Sequence, residues 1–171
     1  IYGRCAGCIG LFLGDGGMAI LSRWPIANDD VIDLSATLWR DVPSAELPVK
    51  NGATFPNQAL YDVLPVSSAG HWIVPISINE AHITLLAFSA TAPVFDGPED
   101  FNGLRNRDEL RLCEAVLDGK IGPVPTHPIL IGNANADPFD GEGLRDGIVG
   151  VLARTDLTDP MPRSIGAVGE A

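Results

Sequence analysis

Apolar residues fall into short blocks separated by proline- and glycine-rich breaks, and the blocks carry two different periods. The stretch "GDGGMAILSRWPI" (14 to 26) gives a glycine turn, a short strand over Met18 to Ser22 and a proline-ended exit. "VIDLSATLW" alternates well enough to predict a second strand from Val31 to Trp39. Residues 41 to 58 contain Pro43, Pro48, Asn51-Gly52, Pro56 and Asn57 and read as loop. "HWIVPISI" (71 to 78) and "HITLLAFSA" (82 to 90) flank "NEA", a hairpin-sized connection, and their apolar density predicts burial on at least one face. Residues 91 to 106 form a long polar excursion, and loops of that length in compact domains are often functional. "RDELRLCEAVLDG" (107 to 119) is the clearest helix. Leu110, Cys113 and Leu117, widened by Leu112 and Val116, make one apolar stripe, and Gly119 stops it. "HPILIG" is a further strand, and "GLRDGIVGVLA" (143 to 153) a second helix weakened by Gly147 and Gly150. The tail from Thr155 is polar, and no internal repeat is present.

The order is strands, a hairpin, a helix, a strand and a helix, which predicts sheet-on-sheet or sheet-and-helix layers. Two apolar strands, 83 to 88 and 129 to 131, each end in a small polar residue followed by a loop: Ser89 and Asn133. If these strands are neighbours, their ends meet at one sheet edge, where clefts form.

Composition narrows the function classes. The 171 residues are 46% apolar and 6% aromatic, enough for one compact core and short for two, so the expectation is a single domain over 1 to 171. Lys plus Arg total 11 against 22 Asp plus Glu, a formal net charge of −11. That field repels a polyanion, and no Lys/Arg cluster offers a local landing site. Nucleic acid is therefore disfavoured, although a bound divalent cation would let an acidic protein handle phosphates. No apolar stretch approaches the roughly 20 residues of a membrane span. Cys5 and Cys8 form a CxxC, which could be a disulfide, a thiol pair or half a zinc site. The disulfide comes first, and it would suit an extracytoplasmic or secreted protein. Cys113 reads as a small buried hydrophobe. The chain opens at Ile1, as a processed form or a fragment would.

"GGMAILSRWPI", "LLAFSATAPVFDGPEDFNGLRNRDEL" and "ILIGNANADPFDGEG" occur in that order. Together they resemble the endonuclease/exonuclease/phosphatase family of DNase-I-like metal-dependent hydrolases, most of all bacterial members with a "PVFDGPED.NGLRN" loop. The resemblance runs from about 14 to 165. It implies a four-layer α/β sandwich, two β-sheets packed face to face with helices outside, and hydrolysis of phosphoester bonds with Mg²⁺ or a similar cation. In the family a histidine closes the first strand and Gly-Asp-x-Asn closes the second. Here those positions are Ser89 and Gly132-Asn133-Ala134-Asn135. Asn135 matches the family's asparagine. Asn133 cannot take a proton from water as a carboxylate would, and Ser89 has no cationic form. Losing two groups that act as a unit predicts weak or absent catalysis. The Asn and Glu expected upstream and the Asp-His pair expected near the end have no counterparts, so the domain reads as partial. The partners implied are a phosphate-ester small molecule or nucleotide. Missing strands would expose sheet edges and predict self-association.

Other readings compete for these residues. Asn133, Asn135 and Asp137 fall at positions 1, 3 and 5 of a calcium loop, but Pro138 and Leu144 occupy positions 6 and 12. What survives is a weak cation site at Asp137 with Asp140, or a plain turn held by Asx hydrogen bonds. In the acidic loop, Arg105 is the candidate for meeting a phosphoryl oxygen, and Asp96 a lesser one. Asn106 stands where an N-cap belongs, with Glu109 three residues on, and Asp108 and Glu109 suit a first helical turn. His71, His82 and His127 each precede a strand and are expected to face solvent or turns.

Overall fold

The computed structural model describes residues 17–161. The chain is mixed α/β with two sheets and helices, the class expected. Its strands are β1 (Ile32–Asp33), β2 (Val49–Lys50), β3 (Ala53–Thr54), β4 (Gly70–Ile78), β5 (Ala81–Ser89) and β6 (Pro128–Asn133); its helices are α1 (Phe101–Leu117) and α2 (Arg145–Leu152). The main sheet runs β1-β4-β5-β6, and β2 with β3 makes a separate ribbon.

β4 and β5 pair antiparallel from Gly70↔Ser89 to Ile78↔Ala81 across the Asn79-Glu80 turn. Asn79 takes φ 54°, a conformation asparagine tolerates well. β5 and β6 pair in parallel, which requires a crossover, and α1 supplies it. Alternation along the strands splits the side chains between two faces. Ile73, Leu86, Phe88 and Leu130 join the helix-side core with Leu110, Leu112, Cys113 and Val116. Trp72, Val74 and Ile76 point the other way, onto Met18, Ile20, Trp24 and Ile26 of the incoming chain. β4 is therefore buried on both sides, which is why it reads as a near-continuous apolar run.

α1 begins at Phe101, six positions before the start that periodicity suggests. Phe101 and Leu104 pack on the core from its first turn, but the following residues Arg105, Asn106, Arg107, Asp108 and Glu109 are buried as polar side chains, which hides the helix from a search for apolar periodicity. Asn106 is thus mid-helix rather than an N-cap, and Asp108 and Glu109 lie beyond the first turn. The Asp96 carboxylate, reaching back from the loop, accepts the Asn102 N–H instead.

Three other expectations change. Over Met18 to Ser22 only Ala19 makes a bridge, and no strand forms there among the described residues. The strand expected from Val31 to Trp39 stops at Asp33, whose carboxylate turns the chain by accepting the Ser35 N–H at 2.9 Å. Trp39 sits instead in a 3₁₀ turn, edge-on to Tyr61 and Phe101. The loop at 41 to 58 contains the β2–β3 ribbon, closed by Asn51-Gly52, both with positive φ. Cys5 and Cys8 lie outside the described residues, whereas Cys113 is buried as expected. Gly147 lets α2 close on α1: a Cβ there would lie 3.1 Å from the Arg107 backbone.

Candidate functional site

The ends of β5 and β6 are direct neighbours, with Ser89 and Asn133 as register partners. Partners in a ladder share a face, so the hydroxyl and the carboxamide stand side by side, about 5 Å apart at the backbone. The Ala90 N–H donates to the Asn133 carbonyl at 2.9 Å and carries the pairing one residue beyond the strand. Both side chains line a cleft of about 460 Å³ whose remaining walls are Met18 to Leu21, Leu85, Ala87, Phe88, Ile131 and Gly132. It is an apolar trough with a neutral polar end.

Gly132 makes that end possible. A Cβ on it would lie 1.9 Å from the Phe88 carbonyl oxygen, a backbone atom that cannot swing aside. Gly132→Ala is expected to lower the urea midpoint by an amount equivalent to about 2 kcal/mol or more, as overpacking against backbone does. A midpoint within error of the parent would contradict this reading of the strand end.

The expected site residues divide into two groups. Asn135 is near: its Nδ2 donates to the Ala90 carbonyl at 2.8 Å, and its backbone N–H donates to Asn133 Oδ1 at 3.0 Å. The Ser89 hydroxyl has no hydrogen-bond partner among the described residues, and its carbonyl accepts from the Ser68 hydroxyl at 3.5 Å. Asp137 is not part of the cleft. Its Oδ1 accepts the N–H groups of Phe139 (2.7 Å) and Asp140 (2.9 Å), which hold the carboxyl below its usual range. That is the Asx turn of the plainer reading. Asp96 serves the start of α1, as described. Arg105 does not reach the cleft: it is buried, donating to the carbonyls of Pro65 (3.1 Å), Val66 (2.9 Å) and Ser67 (3.2 Å). Its Nε and Nη2 are thus committed to backbone carbonyls, away from the residues that line the cleft.

Behind the strand ends lies a polar cluster that sequence reasoning missed. Glu109 is fully buried; its carboxylate accepts the N–H of Thr91 (2.6 Å), the N–H of Ser68 (2.6 Å) and the Ser68 hydroxyl (2.8 Å). Burial pushes this carboxyl up to about 7, against the pull of those donors and the Arg105 charge. His71 is also fully buried, correcting the solvent-facing expectation. Its Nδ1 meets the Ser67 hydroxyl at 3.0 Å and its Nε2 the Glu109 carbonyl at 3.1 Å. Burial pushes the imidazole down to about 4, opposed by the bond to that carbonyl and by the Asp33 charge. Asn106 Nδ2 donates to the carbonyls of Thr91 and Ala134, each at 2.7 Å. The signal available in the sequence is the polar run "RNRDE" (105 to 109) set between Leu104 and Leu110.

A hard dication wants several oxygen ligands, with carboxylates foremost. Among the described residues, no three His, Cys, Asp or Glu side chains could hold a metal ion together. Among the described residues that line the cleft there is no carboxylate. Among the described residues the strand ends offer one hydroxyl and two carboxamides, a neutral donor set without the carboxylates that a hard dication prefers.

Searches of curated proteins and of solved structures gave no match. The model of the Endonuclease/Exonuclease/phosphatase family matches residues 2–168, nearly the whole chain. The α/β layering described above is compatible with the DNase-I-like fold of that family. With the paired strand ends and the matched span together, the chain belongs to the endonuclease/exonuclease/phosphatase family.

Proposed function

We propose that this is a phosphoesterase-family domain whose cleft at the β5 and β6 ends takes a phosphate ester, a small molecule or nucleotide, and turns it over weakly or not at all. The observation that carries the reading is the register pairing of Ser89 with Asn133 at the mouth of the cleft. By the resemblance, these two strand ends correspond to the family's catalytic positions, but they bring neutral groups. A hydroxyl and two carboxamides can donate hydrogen bonds to phosphoryl oxygens. They cannot serve as general base at neutral pH or neutralise a dianion. In active relatives Mg²⁺ or a similar cation supplies the charge.

The test is hydrolysis of a generic phosphodiester with Mg²⁺, comparing the unaltered chain with the Ser89→His/Asn133→Asp double variant. The expected result is a rate indistinguishable from buffer for the former and a measurable rate for the latter. Turnover by the unaltered chain with kcat/KM above roughly 10⁴ M⁻¹s⁻¹, the range of ordinary enzymes, would overturn the reading.

A second reading is a non-catalytic module that binds a phosphate ester or a protein through the same cleft. It is favoured by the apolar walls and by the exposure of Leu21 (96%) and Ile131 (53%) beside the cleft. Such residues would also support self-association. Silence of the double variant with retained phosphate-ester binding would favour this module.

A further inference from the structure

We propose that Asn106 and Glu109 are positioning residues: from inside the helix layer they clamp the loop leaving β5 to the loop leaving β6 and so set the spacing of Ser89 and Asn133. The inference rests on the reading of that mouth as the phosphate-ester site. Three residues apart on α1, the two side chains share a helix face. Between them they hold Thr91 at both backbone groups. Glu109 Oε2 accepts the Thr91 N–H at 2.6 Å, and Asn106 Nδ2 donates to the Thr91 carbonyl at 2.7 Å. The same Nδ2 donates to the Ala134 carbonyl at 2.7 Å, so one carboxamide bridges the chain just after Ser89 and just after Asn133. The other carboxylate oxygen, Oε1, ties in Ser68 on the approach to β4. Above this clamp, Asn135 Nδ2 on the Ala90 carbonyl closes the mouth from outside.

Stability alone does not require this arrangement. A buried carboxylate and a buried carboxamide are costly to desolvate, and apolar side chains of the same volume would fill the space without that cost. Fixed direction is what apolar packing would not provide. Each bond here ends on a backbone group within two residues of Ser89 or Asn133, apart from those to Ser68. Arg105 and Cys113 of α1 and His71 of β4 are the other titratable groups facing Glu109.

The experiment is backbone NMR on the full chain, unaltered and as Asn106→Asp and Glu109→Gln. In Asn106→Asp a carboxylate replaces the donor and faces two carbonyls. In Glu109→Gln one carboxylate oxygen becomes an NH₂ that confronts an N–H. The expected result is faster amide exchange at Thr91 in Glu109→Gln and at Ala90 in both variants, on the order of tenfold for a lost buried hydrogen bond. Amides in the distant half of the β4–β5 hairpin, such as Ile76, should be unchanged. Equal acceleration everywhere, or none at Thr91 and Ala90, overturns the proposal.

The unaltered chain gives a second readout that does not depend on the variants folding. As pH is raised through about 7, where Glu109 changes charge, the amide resonances of Thr91 and Ser68 should titrate. Those of Ser89 and Asn133 should follow with the same midpoint. Titration at Thr91 and Ser68 with silence at Ser89 and Asn133 overturns the proposal. Inorganic phosphate, titrated separately, tests the ligand reading. If phosphate moves nothing at Ser89 or Asn133 while the pH coupling is present, the clamp stands and the phosphate-ester reading fails.

Discussion

Asp108→Ala is expected to lower the unfolding free energy by about 3–5 kcal/mol in urea denaturation, the loss typical of breaking a buried ion pair on one side. Asp108 is fully buried and holds four donors. Oδ2 accepts the Trp39 indole N–H at 2.7 Å and the Glu46 N–H at 2.9 Å. Oδ1 accepts Arg107 Nε at 3.2 Å and Arg111 Nη1 at 3.1 Å. Alanine would leave the indole, an amide and Arg107 Nε without their acceptor, while Arg107 Nη1 would keep its ion pair with Glu46 at 2.8 Å. Arg107 would be the more exposed to this loss because its Nη2 is buried with no partner among the described residues. Asp108→Asn keeps one acceptor and should lose less than the alanine variant. The control is Asp62→Ala, which breaks an ion pair with Arg40 at the solvent surface and should change stability by less than about 1 kcal/mol. An Asp108→Ala loss within that same range would mean that the network is ornamental.

The second large effect is a pair of opposite pH slopes that the unaltered protein hides. Glu109 has its folded-state carboxyl raised from 4.5 to about 7, so its stabilising contribution is complete below about pH 4.5 and lost as pH rises through 7. His71 has its folded-state imidazole lowered from 6.5 to about 4, so its contribution is complete above 6.5 and lost as pH falls through 4. Between about pH 4.5 and 6.5 the folded chain keeps one proton on Glu109 and none on His71. The unfolded chain does the reverse. The proton counts match, and the two slopes cancel. Glu109→Gln removes one side of the balance. Its stability relative to the parent should rise with pH across that window, by about 1.4 kcal/mol per pH unit. His71→Gln should fall relative to the parent with a similar slope. The measurement is urea denaturation at several pH values for the three proteins; parallel curves would show that neither group is held as the structure indicates.

The legible part of this fold was the part held by apolar periodicity. The β4–β5 hairpin, β6, the apolar stripe of α1 and α2 were all within reach of pattern, because their burial is apolar and repeats at the period of the element. The pairing of Ser89 with Asn133 was anticipated as a conditional, since two apolar strands ending in polar residues have to end somewhere together. In the sequence, residues 101 to 106 resemble a loop because Asn102, Arg105 and Asn106 look solvated. They are helical because their polar groups find backbone partners that lie far away in sequence, such as the carbonyls of residues 65 to 67 and 134. Arg105 was misread for the same reason. A guanidinium near a cleft and one beneath a loop are identical in sequence, and only the carbonyls it donates to distinguish them. Val31 to Trp39 alternates like a strand, but Asp33 can turn the chain by itself, and Trp39 is drawn out of the sheet by Tyr61, Phe101 and Asp108.

The two junctions of the main sheet differ in how far the chain must travel to make them. β4 and β5 meet across the Asn79-Glu80 turn, whereas β6 reaches β5 only after the whole of α1 has been laid down. Closing the longer excursion sacrifices more chain entropy, and local contacts form sooner than distant ones. The expected order of assembly is hairpin first and strand ends last. Under thermal or chemical stress the same ranking runs backwards, so Ser89 and Asn133 should part company while the hairpin is still zipped.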